Sequence, residues 1–151
     1  MSRPENSAQV AALYQEMILD HYRRPRNKGA LENADASVEM KNPLCGDEIG
    51  LQVAFDGDQI TDVKFSGRGC SISQASASMM TQLLKGKTRG EIESIRNHFR
   101  DLMLGTAAVS EELGPLRALA GVARFPARVK CALLPWNALE SALRIEADPL
   151  A

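Results

Sequence analysis

Three cysteines, Cys45, Cys70 and Cys131, each lie near the end of a predicted secondary-structure element. Cys45 occurs in a predicted turn between two strands, and Asp47 follows it two residues later. Cys70 stands where a strand pattern gives way to a helix pattern, and Cys131 stands at the predicted start of the last helix. A helix N-terminus favours a thiolate over a thiol, because exposed N–H groups and the helix dipole stabilise negative charge. Few, well-placed cysteines in a reducing compartment indicate metal binding or catalysis more often than cross-linking.

If these loops converge, one site would contain three thiols and one carboxylate, from Cys45, Asp47, Cys70 and Cys131. Three thiolates and one oxygen ligand suit tetrahedral zinc. The same set could hold an iron–sulfur cluster in which oxygen replaces one thiolate. The alternative for each cysteine is the role of a small buried hydrophobic side chain. His21 and His98 are weaker candidates, because each lies in a helix pattern with no second ligand nearby in sequence.

Cations surround the third cysteine and the end of the first predicted helix. Arg128 and Lys130 precede Cys131, where they would stabilise a thiolate and steer an anionic substrate, or else simply face the solvent. Residues 21–28 are also basic. They favour either a solvated helix end or a docking patch for an acidic partner.

The elements that would position these residues follow from the hydrophobic period. Residues 8–23 have apolar residues at helical spacing, and Pro25 ends that helix. The period then changes to two: Val38 and Met40 alternate with polar residues, residues 49–55 alternate strictly, and residues 63–65 resume the alternation after the turn signal Asp-Gly-Asp at 56–58. This pattern predicts a three-stranded antiparallel meander with one buried face.

From residue 71 onward the pattern is helical. One apolar stripe runs from Ile72 to Leu83, a second runs over residues 92–102 after Thr88, and a short piece follows at 116–119. Pro135 suits only the first turn of a helix, so the last helix is predicted to start close to Cys131. The order predicts an α+β fold in which a three-stranded antiparallel sheet has helices packed on one face.

Composition limits the classes of protein that remain. The 151 residues are 44% hydrophobic and 25% charged with a net charge of −1, which predicts a single domain over 1–151 and excludes a disordered or collagen-like chain. This net charge is too small to attract nucleic acid or an anionic membrane to the protein as a whole. No apolar run approaches the ~18–20 residues of a membrane span, and the N-terminus has no signal-like apolar region, so we expect a cytoplasmic protein.

Three segments together resemble a known family. They are residues 42–47 (Asn-Pro-Leu-Cys-Gly-Asp), residues 69–80 beginning Gly-Cys-Ser-Ile-Ser, and residues 125–132 (Phe-Pro-Ala-Arg-Val-Lys-Cys-Ala). They are similar to iron–sulfur cluster assembly proteins of the IscU/NifU N-terminal type, and within that family to the SufU branch. The resemblance runs from about residue 10 to residue 145. Lys130 stands where the scaffold branch carries His, and residues 88–115 would supply an insertion, two features that also resemble the SufU branch.

The resemblance implies a fold, a cofactor and a partner. It implies zinc bound by Cys45, Asp47, Cys70 and Cys131, with Cys45 also accepting persulfide sulfur from a SufS-like cysteine desulfurase. Sulfur would then pass to downstream iron–sulfur assembly proteins, which would make the chain a sulfurtransferase-like relay. The alternatives are a scaffold that assembles and transfers an iron–sulfur cluster on the same cysteines, and a purely structural zinc module.

Overall fold

The sheet follows directly from the alternating pattern. The computed structural model describes residues 4–43 and 46–147. Strands β1 (Ala36–Asn42), β2 (Asp47–Asp56) and β3 (Gln59–Arg68) pair antiparallel in the order β1-β2-β3, which confirms the predicted meander. The alternate residues of β2 from Asp47 to Val53 are buried, while those between them are partly exposed. Glycine at position 57, with φ of 61°, closes the β2–β3 hairpin.

The helices cover the buried face of this sheet. They are α1 (Pro4–Arg23), α2 (Ser71–Leu84), α3 (Arg89–Met103) and α4 (Pro126–Ala147), with a 3₁₀ segment (Glu111–Arg124) between the last two. Helix α4 packs on β1 and β2, and α2 packs on β3 and α4. The predicted α+β class with helices on one face is therefore confirmed. No helix among the residues described is long and apolar enough to cross a membrane.

The start of the last helix differs from the prediction. Helix α4 begins at Pro126, so Cys131 lies in its second turn and Pro135 lies inside the helix. Proline has no N–H, so residue 135 cannot donate the helical hydrogen bond to the carbonyl of Cys131. The hydroxyl of Ser76 in α2 donates to the adjacent carbonyl of Ala132 at 2.7 Å. Burial of α4 against the sheet and α2 outweighs the local cost of Pro135, a tertiary effect that a local rule misses.

Only part of the apolar stripe of α1 packs against the core. Tyr14, Met17 and Ile18 pack against the core as predicted. Val10 and Leu13, in contrast, are 45% and 57% exposed. The N-terminal half of α1 therefore presents apolar surface to the solvent.

A histidine joins α3 to the segment that follows it. Nδ1 of His98 lies 3.0 Å from Oε2 of Glu112, and Nε2 lies 2.8 Å from the carbonyl oxygen of Ala108. Both partners accept hydrogen bonds, so both ring nitrogens donate and the imidazolium form fits best. The Ala108 carbonyl and then Glu112 raise the pKa of His98, with Asp101 contributing in the same direction.

The stability difference between the wild type and a His98→Gln variant is expected to shrink as pH rises. A histidine whose pKa is raised by folding stabilises the native state fully below its unfolded pKa of about 6.5, and the effect fades as pH rises through the folded pKa. We expect a difference below about 1 kcal/mol, because the ion pair is partly exposed. Urea unfolding of both proteins between about pH 5.5 and 8.5 measures it, and the pH dependence of metal binding cancels in the difference.

The second histidine supplies an internal control. Burial, and then the charge of Arg26, lower the pKa of His21. Because the chain has only two histidines, an NMR titration resolves both. The pKa of His98 should lie above the ordinary value of a histidine, and the pKa of His21 should lie below it. A stability difference that is independent of pH would contradict the role assigned to His98.

Candidate metal centre

The ladder between β2 and β3 brings Asp47 and Cys70 together. Glu48 pairs with Arg68, so the start of β2 lies beside the end of β3, and Cys70 follows two residues later. Gly67 makes this approach possible, because its φ is +114° and a Cβ there would collide with the backbone carbonyl of Glu48. The local sheet geometry therefore fixes the separation of the two side chains.

Asp47 is buried and held by the backbone of Cys70. The N–H of Cys70 donates to Oδ1 of Asp47 at 2.8 Å, and the other carboxylate oxygen, Oδ2, lies 3.6 Å from Cys70 Sγ. Cys70 is the N-cap residue of α2, and its side chain caps no backbone N–H. The carboxylate and the thiol therefore both lie at a helix N-terminus, where the dipole favours negative charge.

Cys131 completes the described part of the site. It lies in the second turn of α4, is only 6% exposed, and its Sγ is 3.7 Å from the carbonyl of Ala127. The candidate ligand atoms of Asp47, Cys70 and Cys131 all lie within 4.8 Å of one another. Cys70 is exposed while the other two are buried, so the cluster can be approached from the side of Cys70.

These three residues fit zinc. With Zn–S of about 2.3 Å and Zn–O of about 2.1 Å, neighbouring sulfur and oxygen ligands of a tetrahedral ion are about 3.6 Å apart. The observed separation between Cys70 Sγ and Asp47 Oδ2 is 3.6 Å. Two thiols and a carboxylate also match the ligand types that zinc accepts. Cys45, the fourth ligand expected from sequence, lies outside the described residues.

The two histidines singled out from the sequence lie apart from this cluster. Nδ1 of His21 is 2.8 Å from the hydroxyl of Ser78, and His98 is bound to Glu112 and Ala108. Neither histidine belongs to the ligand group found among the described residues. In the basic segment, Arg26 pairs with Asp20 at 2.7 Å, so part of its charge is already neutralised within α1 and the turn that follows it.

A groove between the helices was not predicted from the sequence. It has a volume of about 900 Å³ and lies between α1, the 3₁₀ segment and the start of α4. Val10 and Phe125 line it while remaining exposed, and Arg128 contributes a cation. The sequence carried no signal for this groove, because Val10 fits the apolar stripe of α1 and its exposure appears only in the folded structure.

The fold and the cluster define a class: a small α+β protein with a thiol and carboxylate centre at one end of a three-stranded sheet. The NifU-like N terminal domain family matches residues 13–132, and the chain belongs to this family. The resemblance inferred from the three segments is thereby confirmed.

The chain is similar to characterised members of two branches of this family. The chain is 50% identical over 141 residues to the zinc-dependent sulfurtransferase SufU of Bacillus subtilis, covering 93% of this chain and 95% of that protein. It is 44% identical over 137 residues to the iron–sulfur cluster assembly scaffold protein IscU of Streptococcus pyogenes serotype M1, with coverage of 90% and 86%.

Solved structures agree on the fold. A putative iron–sulfur cluster assembly scaffold protein for the SUF system from Fervidobacterium islandicum superposes with a TM-score of 0.81 at 44% identity, covering 87% of this chain and 97% of the other. The N-terminal part of a NifU-like protein from Brucella abortus gives 0.84 at 21% identity, covering 92% and 97%. The latter supports the fold alone.

Proposed function

We propose that this protein is a zinc-containing sulfurtransferase that accepts persulfide sulfur from a SufS-like cysteine desulfurase and passes it on for iron–sulfur cluster assembly. The observation that carries the proposal is the convergence of Asp47, Cys70 and Cys131 within 4.8 Å. The 50% identity to a zinc-dependent sulfurtransferase over nearly the whole chain supports it. The similarity to a bacterial sulfurtransferase supports a cytoplasmic location.

Zinc would be held by the three described residues together with Cys45. When bound, zinc keeps its thiolate ligands deprotonated at neutral pH. The buried residues Asp47 and Cys131 and the N-cap residue Cys70 form the part of the site that the fold itself holds in place. Cys45, two residues before Asp47 in the sequence, is the proposed sulfur acceptor.

The transfer is a thiol exchange without net oxidation or reduction. The Cys45 thiolate attacks the terminal sulfur of a persulfide on the desulfurase, a new S–S bond forms on Cys45, and the sulfur–sulfur bond of the donor breaks. The donor cysteine leaves as a thiolate. The persulfide on Cys45 can then pass its terminal sulfur to a further thiol by the same chemistry.

The groove is the proposed docking surface for the desulfurase. Ile72 lines the groove two residues after Cys70, and Arg128 lines it three residues before Cys131. A partner that packs on the exposed side chains of Val10 and Phe125 would contact α2 and α4, the two helices at whose N-terminal ends Cys70 and Cys131 lie. The apolar wall supplies contact area, and Arg128 supplies a partner for an acidic side chain.

The desulfurase assay tests both proposals. Alanine production by a SufS-like desulfurase, with cysteine as substrate, should rise several-fold when this protein is added. Phe125→Asp should raise the concentration needed for half-maximal stimulation by about tenfold, the effect of losing an aromatic side chain that becomes buried when the partner docks. Leu104→Asp is the matched control, because Leu104 is 62% exposed against 57% for Phe125 and does not line the groove.

Two outcomes of this assay would argue against the proposal. Unchanged alanine production with the wild type would remove the relay function and leave the scaffold function or a structural zinc module. Equal effects of the two aspartate variants would show that the groove is not the docking surface.

The scaffold function is the second candidate, and the 44% identity to an IscU scaffold protein favours it. The same thiols and carboxylate could hold an iron–sulfur cluster. Anaerobic reconstitution with iron and sulfide distinguishes the two functions. A stable visible chromophore would favour the scaffold, and its absence beside strong stimulation of the desulfurase would favour the relay.

A further inference from the structure

Gly69 occupies a position where the space for a side chain is already filled. It lies between the end of β3 and the N-cap of α2. A Cβ on Gly69 would collide with the carboxylate of Asp47, with its Cγ at 2.8 Å and Oδ1 closer still, and would come within 2.6 Å of Ser73 Oγ. The backbone of Gly69 is outside the left-handed region, so its φ does not exclude alanine. The requirement for glycine is therefore one of space.

The contacts around Asp47 hold its carboxylate in one orientation. Oδ1 of Asp47 accepts the N–H of Cys70 at 2.8 Å, and Oδ2 is on the side of the Cys70 thiol, 3.6 Å from Sγ. A carboxylate fixed by one oxygen presents the other to a metal. Groups that orient a metal ligand in this way affect metal affinity strongly without touching the metal.

We infer that Gly69 is a positioning residue: with the Cys70 N–H it forms a cradle that holds Asp47 as a single-oxygen zinc ligand. The inference rests on the proposed role of Asp47 in binding zinc. Residue 69 must be glycine, because a Cβ at this position would push the carboxylate away from the N–H of Cys70. Asp47 then belongs to the rigid part of the site, together with the N-terminus of α2.

A double-mutant cycle tests whether Gly69 acts through Asp47. Zinc affinity is measured by competition with a chromogenic chelator for the wild type, Gly69→Ala, Asp47→Ala and the double variant. Gly69→Ala should weaken zinc binding about 10- to 100-fold. In the Asp47→Ala background the same change should alter affinity much less, because no carboxylate remains to be displaced and only the Ser73 hydroxyl has to give way.

Gly90→Ala is the matched control, since a Cβ on Gly90 would meet no atom within 4 Å and this glycine lies in α3, away from the site. It should leave zinc affinity unchanged. Cobalt substitution adds a readout that a general loss of stability would not produce. Gly69→Ala should change the visible cobalt spectrum from that of the wild type, because Asp47 no longer ligates in the same geometry.

A second variant keeps the test decisive if Gly69→Ala folds poorly. Asp47→Glu retains a carboxylate but moves it one methylene out of the cradle, and it too should bind zinc at least about tenfold more weakly. Wild-type affinity in Gly69→Ala, wild-type affinity in Asp47→Glu, or an equal loss on Gly69→Ala in both backgrounds would overturn the cradle. A wild type that binds no zinc would overturn the metal site itself, and this inference with it.

Discussion

A Cys45→Ser variant is expected to lose sulfur acceptance completely while retaining part of its zinc. A serine hydroxyl does not attack a persulfide sulfur, because the thiolate is the nucleophile in this exchange. Asp47, Cys70 and Cys131 remain grouped within 4.8 Å and can still hold an ion. Mass spectrometry after incubation with a cysteine desulfurase and cysteine should show one added sulfur on the wild type and none on the variant.

Cys45→Ala serves as the companion variant, because it removes the hydroxyl as a possible oxygen ligand. Both variants should be inactive in sulfur acceptance, and the alanine variant should hold zinc no more tightly than the serine variant. Sulfur added to Cys70 or Cys131 in either protein would show that the acceptor is another cysteine.

The sheet and its turns could be predicted because their signals are local. The alternation over residues 49–55 and the Asp-Gly-Asp turn at 56–58 are complete within a dozen residues. The hairpin lies where predicted, and β2 buries alternate residues as far as Val53, beyond which a register shift between Ala54 and Phe55 ends the pattern. Thr88 behaves in the same way: its hydroxyl and Glu91 form a capping box at the start of α3. None of these three signals depends on the rest of the chain.

The start of α4 and the groove could not be predicted because they depend on packing. Pro135 would stop an isolated helix, but in the folded protein α4 passes through it while buried against the sheet and α2. The exposed half of α1 looks like core in sequence, since Val10 and Leu13 fit the helical stripe. Only the placement of α1 against the 3₁₀ segment shows that Val10 lines a groove and that Leu13 is exposed to the solvent.

The candidate site could be predicted in part. The position of Asp47, Cys70 and Cys131 near element ends or in a first or second helical turn was a useful signal, and the structure brings these three residues together. Their convergence across 84 positions of sequence, from 47 to 131, follows from strand register and helix packing. The need for Gly69 arises from the same contacts, so a glycine beside a cysteine had no visible meaning in the sequence alone.

Cys70→Ser and Cys131→Ser are each expected to lose zinc and stability together. The wild type should contain close to one zinc per chain, because the ligands form a single closed site. Zinc that binds only the native state stabilises it by about 4 kcal/mol when its concentration exceeds the dissociation constant about 1,000-fold. Metal analysis and thermal unfolding with and without a strong chelator measure both effects.

The chelator also separates metal binding from packing at the two positions. It should lower the unfolding midpoint of the wild type to about that of Cys70→Ser, and it should leave both variants unchanged. Cys131 is buried, and a serine there can donate to the Ala127 carbonyl that now lies 3.7 Å from the thiol. Cys131→Ser should therefore match the zinc-free wild type. A midpoint well below that value would show that Cys131 acts mainly as a small buried side chain, and a wild-type midpoint indifferent to the chelator would remove zinc from the site altogether.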